Sequence, residues 1–344
     1  MIGDVLASSV ICTALKRTIR CETHYLINRN TFPVVQHHPD IDHFILTDPE
    51  RNSLQDFVEL GKQLRAHRFD AIIDAYGIWE SIIPLLVSKA PVRIGFRKWY
   101  TQFFYTKVVS VKEGIPGSAI AHRLQLAEAL TEKPFEIRFP KIYLTRKEVT
   151  EAKYLIGQHA KGDRPLLMIS ALGSAPDKSM PAQHMAQILD RIAESEVEMI
   201  LNFMPSQQAE ADRIYEACLP GTQAKILRSL TTGSLREFLA VLSRCQALIG
   251  NEGGAVNMAK ALDVPTFTVF SPWINKSSWD MLTDTDAHVA VHLNDFHPEI
   301  YRGVHPKKFR VQADLLYKML RPELFAAQLQ TFIGKIIADY QKDS

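Results

Sequence analysis

Short apolar runs alternate with amphipathic helical segments along most of the chain, and this alternation constrains the fold more than any other feature. In the first half the strand-like runs include His24–Asn28 and Val92–Phe96. In the second half they include Leu166–Ser170, Glu198–Phe203 and Ala224–Leu227, with a helical stripe between each pair of runs. Alternating strands and helices are typical of parallel sheets covered by helices. The sequence therefore predicts an α/β protein.

The chain is long enough for two such units. Its 344 residues are more than twice a typical domain of about 150 residues. The polar segment His159–Arg164 separates the two series of strands, so we place a linker there. We predict one domain over residues 1–158, a second over 164–320, and a C-terminal helix over 321–344 that is free to pack back on the first domain.

Composition narrows the class of protein. There are 40 basic and 38 acidic residues, so nothing in the net charge of +2 demands nucleic acid as a partner. The four cysteines are scattered with no CxxC pair, which favours a reducing compartment and disfavours a thiolate metal site. No run of 18 apolar residues and no leader-like segment is evident, so we predict a cytoplasmic protein.

The stretch Ala247–Pro272 has the pattern of an anion site. A short apolar run is followed by the glycine turn Asn251–Gly254, the helix-forming segment Ala255–Leu262 and a second strand. Adjacent glycines let a ligand approach the backbone, and a helix start offers unpaired N–H groups and positive dipole to a phosphate. The alternative is that the glycines only close a turn. In a two-domain α/β protein the site is expected in the cleft between domains.

Two other segments invite a functional interpretation. Arg97–Ser118 is irregular, basic and rich in aromatic residues, which is typical of binding loops. The alternative is a loop whose aromatic rings are buried in the core. His37, His38 and His43 lie close together, but Pro39 and Asp40 flank them, and this composition predicts an exposed turn rather than a metal site.

Five sequence elements are spread over most of the chain: GDVLASSVICTALK near the start, HRFDAIIDAYG at 67–77, RIGF at 93–96, the GS...K.MP block at 173–181 and SLREFLAVLSRCQALIGNEGGAVNMAKAL at 234–262. In composition and order they resemble glycosyltransferase family 9, the heptosyltransferases of lipopolysaccharide assembly. The resemblance implies a GT-B fold, in which two Rossmann-like domains face each other across a cleft. The first domain would receive the acceptor and the second the nucleotide sugar.

The resemblance also implies a reaction. It is an inverting, metal-independent transfer of a sugar from a nucleotide diphosphate donor to a lipopolysaccharide core or similar saccharide. The donor is ADP-heptose by family default, and no cofactor is needed. The basic and aromatic segment would meet a lipid-borne acceptor at the inner face of the cytoplasmic membrane, by peripheral contact.

Catalytic roles follow from matching positions. Asp4 matches the family's proposed general base, which would take the proton of the attacking acceptor hydroxyl. Lys178 matches a lysine that would neutralise charge on the departing diphosphate. From the residues alone, Asp4 is more simply a helix-start acid beside the helix dipole, and Lys178 is a surface lysine. Acceptor-binding residues are predicted to be Gly3, Arg97, Lys98, Trp99 and Lys107.

The donor pocket departs from the family pattern. Its predicted residues are Ser170, Gly173, Ser174, Gln207, Asn251, Glu252, Gly253, Gly254 and Asn257. In the signature N-D-S/T-G-x-x-H-x-A, Glu252 replaces the aspartate, Gly253 the small hydroxyl residue and Asn257 the histidine. Phosphate binding by backbone N–H groups survives such changes, but recognition of the sugar need not.

Two further expectations concern the start of the chain and the activity. Family members carry a short strand before the turn that contains Gly3, so we predict that Met1 is internal to a longer chain and that the first strand of the first domain is missing. Two other functions remain open. One is a nucleotide-sugar epimerase of the GT-B type, and the other is a degenerate, non-catalytic protein that binds nucleotide sugars.

Overall fold

The computed structural model describes residues 2–111, 118–279 and 286–343. They form two compact units: the described parts of Met1–Lys141 and Ser277–Met281, and the described parts of Ile142–Lys276 and Leu282–Ser344. Every strand pair described in either unit is parallel. Parallel strands need crossover connections, which are usually helices. The predicted α/β class is therefore confirmed. No described helix has the combination of length and apolar composition needed to span a membrane.

The first unit contains four helices and five strands among its described residues, besides part of a short junction helix. They are α1 Ile2–Thr18, β1 His24–Asn28, β2 His43–Thr47, α2 Leu54–Ala66, β3 Ala71–Asp74, α3 Trp79–Ser88, β4 Val92–Phe96, β5 Lys107–Val109 and α4 Ser118–Thr131. Short 3₁₀ turns lie at Arg29–Val34 and Gln102–Phe104. The strand β5 falls inside the segment Arg97–Ser118, which the sequence had marked as irregular throughout.

The strands of the first unit form two separate sheets, β1–β2 and β3–β4–β5. No strand precedes α1 in the described part of the chain, and Gly3 and Asp4 lie in the first turn of this helix. One apolar face of α1, with Ala7 and Val10, packs against Leu124 and Ala127 of α4 in a common core. Packing on α4 therefore holds α1 within the unit.

The second unit contains the remaining elements. They are α5 Arg146–Gly157, β6 Leu166–Ser170, α6 Ala182–Ala193, β7 Glu198–Asn202, α7 Gln208–Ala217, α8 Pro220–Gln223, α9 Leu235–Leu242, β8 Ala247–Asn251, α10 Gly254–Ala261, β9 Thr266–Val269, α11 Lys276–Trp279 at the junction with the first unit, β10 His288–Val291, α12 Leu293–Phe296, α13 Pro298–Tyr301, α14 Ala313–Met319 and α15 Ala326–Asp343. Further 3₁₀ turns lie at Pro176–Lys178, Pro205–Gln207, Pro306–Gln312 and Pro322–Phe325.

The second unit is built on one five-stranded parallel sheet with the order β10-β9-β8-β6-β7. The chain order reverses at β6, which lies between β7 and β8. The predicted strand Ala224–Leu227 is wrong, since only Ile226 forms a bridge, to Met199 of β7. Backbone N–H and C=O groups on both sides of Ile226 form turn hydrogen bonds, so they are not available for the strand pairing that a longer strand would need. In open α/β sheets the point of reversal is where ligands bind, at the carboxyl ends of the strands.

The segment after Lys141 belongs to the second unit, so the division lies nearer the N-terminus than the predicted boundary at residue 158. Helix α5 packs on α9, and Glu148 of α5 accepts two hydrogen bonds from Arg236 of α9, both at 2.7 Å. Thr145 and Glu148 also form a capping box at the start of α5. The guanidinium of Arg236, together with the bonds from Thr145, lowers the pKa of Glu148 to about 2.

The C-terminal helix α15 packs in the core of the second unit. Phe332, Ile333 and Ile336 are buried there, and the ring of Phe332 lies 5.8 Å from that of Phe267 in β9. This helix, which the sequence left free to pack back on the first domain, covers the second sheet with its apolar stripe.

Candidate functional site

Two strand ends meet at the point of reversal in the second unit, and both carry residues predicted for the donor pocket. Ser170 ends β6 and pairs with Gly250, one residue before the end of β8 at Asn251. The buried Asn251 Nδ2 donates to the carbonyls of Ser170 (3.2 Å) and Ala171 (2.8 Å), while its Oδ1 accepts from the N–H of Met180 (2.9 Å). Asn251 therefore positions the loop that follows β6.

That loop is held tightly from several sides. The N–H of Gly173 donates to Ser179 Oγ (3.0 Å), and its carbonyl accepts from Gln207 Nε2 (2.8 Å). A methyl group at Gly173 would overlap the backbone carbonyl of Lys178, so only glycine fits here. Ser174 is exposed at the outer side of the loop. The loop thus presents Lys178 from a backbone with little freedom to move.

The glycine turn between β8 and α10 has the geometry of an anion site. Gly253 has φ 151° and ψ −163°, and among the described residues other than its chain neighbours no heavy atom lies within 4 Å of the position of an added Cβ. Helix α10 begins at Gly254, and Asn257 lies half-buried in its first turns. The first N–H groups of a helix lack partners within the helix and carry its positive dipole, so this open start is suited to a phosphate.

Lys178 and Glu252 bring opposite charges together beside this turn. The Lys178 Nζ lies 3.6 Å from Glu252 Oε1 and 5.5 Å from the ring centroid of Trp273. Burial raises the pKa of Glu252, and the ammonium of Lys178 opposes that shift only in part. A bound diphosphate would compete with Glu252 for the same ammonium. The site therefore holds a cation on a fixed loop next to an open helix start.

The structure adds residues that the sequence did not single out. The carbonyl of Asp177 accepts from Trp273 Nε1 (2.7 Å) and from Ser271 Oγ (2.9 Å). Arg310 pairs with the Asp177 carboxylate at 2.6 Å and lies 4.9 Å from the ring centroid of Trp273. Trp273 could have been predicted as a site residue from the sequence, because it directly follows the stretch Ala247–Pro272. Arg310 carries no local signal, since it reaches the site from a distant 3₁₀ turn.

Replacing Glu252 by Gln is expected to stabilise the protein at pH 7–8. The folded-state pKa of Glu252 is raised, so its contribution to the free energy of unfolding is greatest below the unfolded value of about 4.5 and is lost as the pH rises through the folded value. We expect the free energy of unfolding to rise by about 1 kcal/mol, which raises Tm by roughly 2–4 °C. This increase should become smaller as the pH approaches the unfolded value of about 4.5. Thermal melts of both proteins across this pH range measure it.

The exposed Glu210 in the first turn of α7 supplies the control. Glu210→Gln should give no gain in Tm at any pH, since an exposed carboxylate loses little hydration on folding and its replacement only weakens the interaction with the helix dipole, by about 0.3–1 kcal/mol. A lower Tm for Glu252→Gln at pH 8 would show that the attraction to Lys178 outweighs the cost of burying Glu252.

In the first unit, Asp4 is held by a partly buried arginine. Arg123 of α4 donates to Asp4 Oδ1 at 2.8 Å, to Ser8 Oγ at 2.9 Å and to the carbonyl of Ala119 at 2.7 Å. Burial lowers the pKa of Arg123, and the carboxylate of Asp4 opposes that shift. The neighbouring Gly3 is half-buried. The three contacts fix the direction of the guanidinium and therefore of the Asp4 carboxylate.

The predicted acceptor-binding segment is partly engaged with its own unit. Lys98 Nζ donates to the carbonyls of Tyr76 and Gly77, both at 2.9 Å. Lys107 lies in β5 and contacts the carbonyl of Ala129 and the carboxylate of Glu132.

Two residues of the segment face solvent more fully. The indole of Trp99 is 83% exposed. Arg97 Nε donates to Ser110 Oγ at 2.8 Å, at the surface of the first unit. Trp99 and Arg97 are therefore better placed than Lys98 and Lys107 to contact an external molecule.

The histidines predicted to form one exposed turn are separated by the fold. His38 is buried, and its Nδ1 accepts from the N–H of Asp40 at 3.2 Å, so the expectation of exposure is wrong for this residue. His37 has φ 66° and contacts Gln36. His43 instead begins β2 and lies beside His24, the first residue of β1.

Comparisons with known proteins agree with this arrangement. The model of glycosyltransferase family 9 (heptosyltransferase) matches residues 57–299, which is well over half of the chain. The chain belongs to glycosyltransferase family 9. Its activity class, a glycosyltransferase, follows from this membership, as the sequence predicted. Residues 57–299 include every predicted donor-pocket position and exclude Asp4.

Relatives of this glycosyltransferase are distant in sequence. A putative glycosyltransferase of Haemophilus influenzae is 21% identical over 73% of this chain and 75% of its own length. Among solved structures, a family 9 glycosyltransferase from Veillonella parvula has a TM-score of 0.78 and 16% identity, covering 97% of this chain and 95% of that one. The E. coli ADP-heptose lipopolysaccharide heptosyltransferase II has a TM-score of 0.68 and 18% identity, covering 92% and 96%. These likenesses confirm the GT-B fold class.

Proposed function

We propose that this glycosyltransferase moves a sugar, by family default heptose from ADP-heptose, to a lipopolysaccharide core or similar saccharide acceptor, with inversion and without a metal. One observation carries the donor half of the proposal. At the point of reversal in the second sheet, Lys178 lies beside Glu252, immediately before the open start of α10. A cation next to unpaired helix N–H groups suits a diphosphate. The name of the E. coli relative supports the choice of ADP-heptose.

The proposed mechanism divides the work between the two units. In the second, the ammonium of Lys178 and the first N–H groups of α10 stabilise negative charge as the diphosphate departs. In the first, the Asp4 carboxylate, oriented by Arg123, accepts the proton of the acceptor hydroxyl as that oxygen attacks the anomeric carbon. Attack on the face opposite the leaving group inverts the anomeric configuration.

The acceptor is proposed to contact the first unit near Arg97 and Trp99. An exposed guanidinium attracts an acceptor that carries anionic groups, and an exposed indole packs against sugar rings or enters the headgroup region of a membrane. The protein would then act at the inner face of the cytoplasmic membrane by peripheral contact.

A screen of nucleotide diphosphate sugars followed by an acceptor-dependent assay tests the function. A donor that binds only the folded protein must raise its Tm, so ADP-heptose should shift Tm more than other nucleotide sugars do. Turnover of the bound donor should then require a saccharide acceptor. Turnover without an acceptor would indicate an epimerase instead, and the absence of any Tm shift would indicate that the altered turn has lost donor binding.

Replacing Lys178 by Ala is expected to lower kcat by about 10²-fold, because a cation aimed at the leaving diphosphate acts mostly in the transition state. Donor affinity should fall by less, since the N–H groups of α10 remain. Steady-state kinetics with separate donor titrations measure both quantities. Lys153, exposed on α5 in the same unit, is the matched control, and Lys153→Ala should leave both unchanged. Equal losses in kcat and in donor affinity, with no larger effect on kcat, would contradict the leaving-group role.

A further inference from the structure

Three side chains outside the proposed catalytic and donor sites converge on one point at the edge of the first unit. Glu22 Oε1 lies 2.6 Å from His43 Nε2 and 3.3 Å from His24 Nε2. The two imidazoles stack with their ring centroids 4.5 Å apart and their planes 28° apart. All three candidate ligand atoms lie within 4.8 Å of one another. Two ring nitrogens and a carboxylate oxygen thus face a common centre.

The backbone explains why these atoms converge. His24 and His43 are the first residues of β1 and β2, and they are directly paired in this parallel ladder. Paired residues of neighbouring strands project on the same side of the sheet. Glu22 precedes His24 by two residues, a spacing that returns a side chain to the same face of an extended chain. The pairing of the two histidines is therefore built on strand register, and Glu22 lies in the segment just before β1.

The imidazole of His24 is fixed by its surroundings. Its ring makes an edge contact with Phe69, with centroids 4.9 Å apart, and lies 5.3 Å from the ring of His67. The Nδ1 of His24 is buried and has no hydrogen-bond partner among the described residues. The Nε2 is therefore the ring nitrogen of His24 that is directed at a polar group, and it points towards Glu22.

The donor set matches borderline transition metals. Two imidazole nitrogens and one carboxylate oxygen are typical of zinc sites that keep an open fourth position, whereas Mg²⁺ and Ca²⁺ prefer oxygen ligands. Zinc bonds of about 2.0–2.1 Å in tetrahedral geometry place two ligand atoms about 3.3 Å apart. The distance between Glu22 and His24 already has this value. The distance between Glu22 and His43 must lengthen, and their exposed side chains permit that movement.

We propose that Glu22, His24 and His43 form a binding site for a divalent transition metal of the zinc type, with water at the fourth position. The metal joins the amino ends of β1 and β2. Its effect is to stabilise a two-stranded sheet, which is marginal without further support. None of these three residues takes part in the proposed sugar transfer, so the metal site can be tested independently of that activity.

Metal binding by the untagged full chain tests the site. Zinc is titrated against a chromophoric chelator, and Co²⁺ absorption in the visible range reports on tetrahedral coordination. We expect the chain to take up Zn²⁺ with a rise in Tm, and not Mg²⁺. His43→Ala and Glu22→Gln each remove a ligand from an exposed position, and each should lower zinc affinity at least about tenfold.

His37→Ala is the matched control, since His37 is a surface histidine outside the cluster. It should bind zinc as the unchanged chain does. Thermal melts without metal confirm that each variant is folded. Absence of zinc uptake by the unchanged chain would overturn the proposal. So would equal zinc affinity in the unchanged chain, His43→Ala and Glu22→Gln, which would indicate adventitious binding to other histidines.

Discussion

Replacing Asp4 by Asn is expected to lower the rate of sugar transfer by about 10²–10⁴-fold, which is the usual contribution of a positioned general base. Asparagine keeps the size of the side chain and a carbonyl oxygen that still accepts from Arg123 at the position now 2.8 Å away. It loses the negative charge and the ability to take a proton. Initial rates at saturating acceptor, with a separate donor titration, should show a low kcat and a nearly unchanged donor affinity.

A matched control separates catalysis from helix electrostatics. Glu80 is an exposed acid in the first turn of α3, in the same unit as Asp4 and at an equivalent helix position. Glu80→Gln removes the same favourable interaction with a helix dipole, about 0.3–1 kcal/mol, without touching the proposed base. It should retain full transfer activity. Retained turnover in Asp4→Asn would instead assign the base to another residue, and Asp4 would then be a helix-start acid that pairs with Arg123.

The sequence predicted the second unit well because its signals are local. Buried strands such as Leu166–Ser170 are continuous apolar runs bounded by turns, and the structure has this strand at the predicted residues. The glycine turn before α10 was also readable, since a strand, two glycines and a helix-forming run lie next to each other in the chain. Where the signal is weak the prediction failed: Ile226 pairs alone, and the three-residue strand β5 was missed.

Long-range partners account for most of what the sequence did not show. Arg123 reaches Asp4 across 119 positions, and Arg310 reaches Asp177 across 133, so no local pattern links either pair. The boundary between the units depends on the packing of α5 against α9, through Glu148 and Arg236. The approach of His24 to His43 depends on the register of two strands. Pairs of this kind follow from the fold rather than from spacing in the chain.

Gly250 makes a close long-range contact with β6 that supports the proposed donor site. Gly250→Ala is expected to lower the free energy of unfolding of the second unit by about 3 kcal/mol or more. Gly250 has φ 134°, which a residue with a Cβ rarely adopts. A methyl group there would also overlap the carbonyl of Ser170 and lie 2.9 Å from its carbonyl carbon. The strands β6 and β8 cannot separate locally, because Asn251 bonds to the loop after β6. A fall in Tm of about 6–12 °C is expected in calorimetry.

Gly221 provides the control for this substitution. It lies in the short helix α8 of the same unit, and an added Cβ there would meet no heavy atom of another described element within 4 Å. Gly221→Ala should therefore leave Tm within about 1–2 °C of the unchanged chain, since it removes no native contact and reduces the entropy of the unfolded chain. Donor binding should be weakened only by Gly250→Ala, because Asn251 then no longer holds the loop that carries Lys178. An unchanged Tm for Gly250→Ala would show that β6 and β8 separate at little cost, and the loop could not then be treated as a fixed support for Lys178.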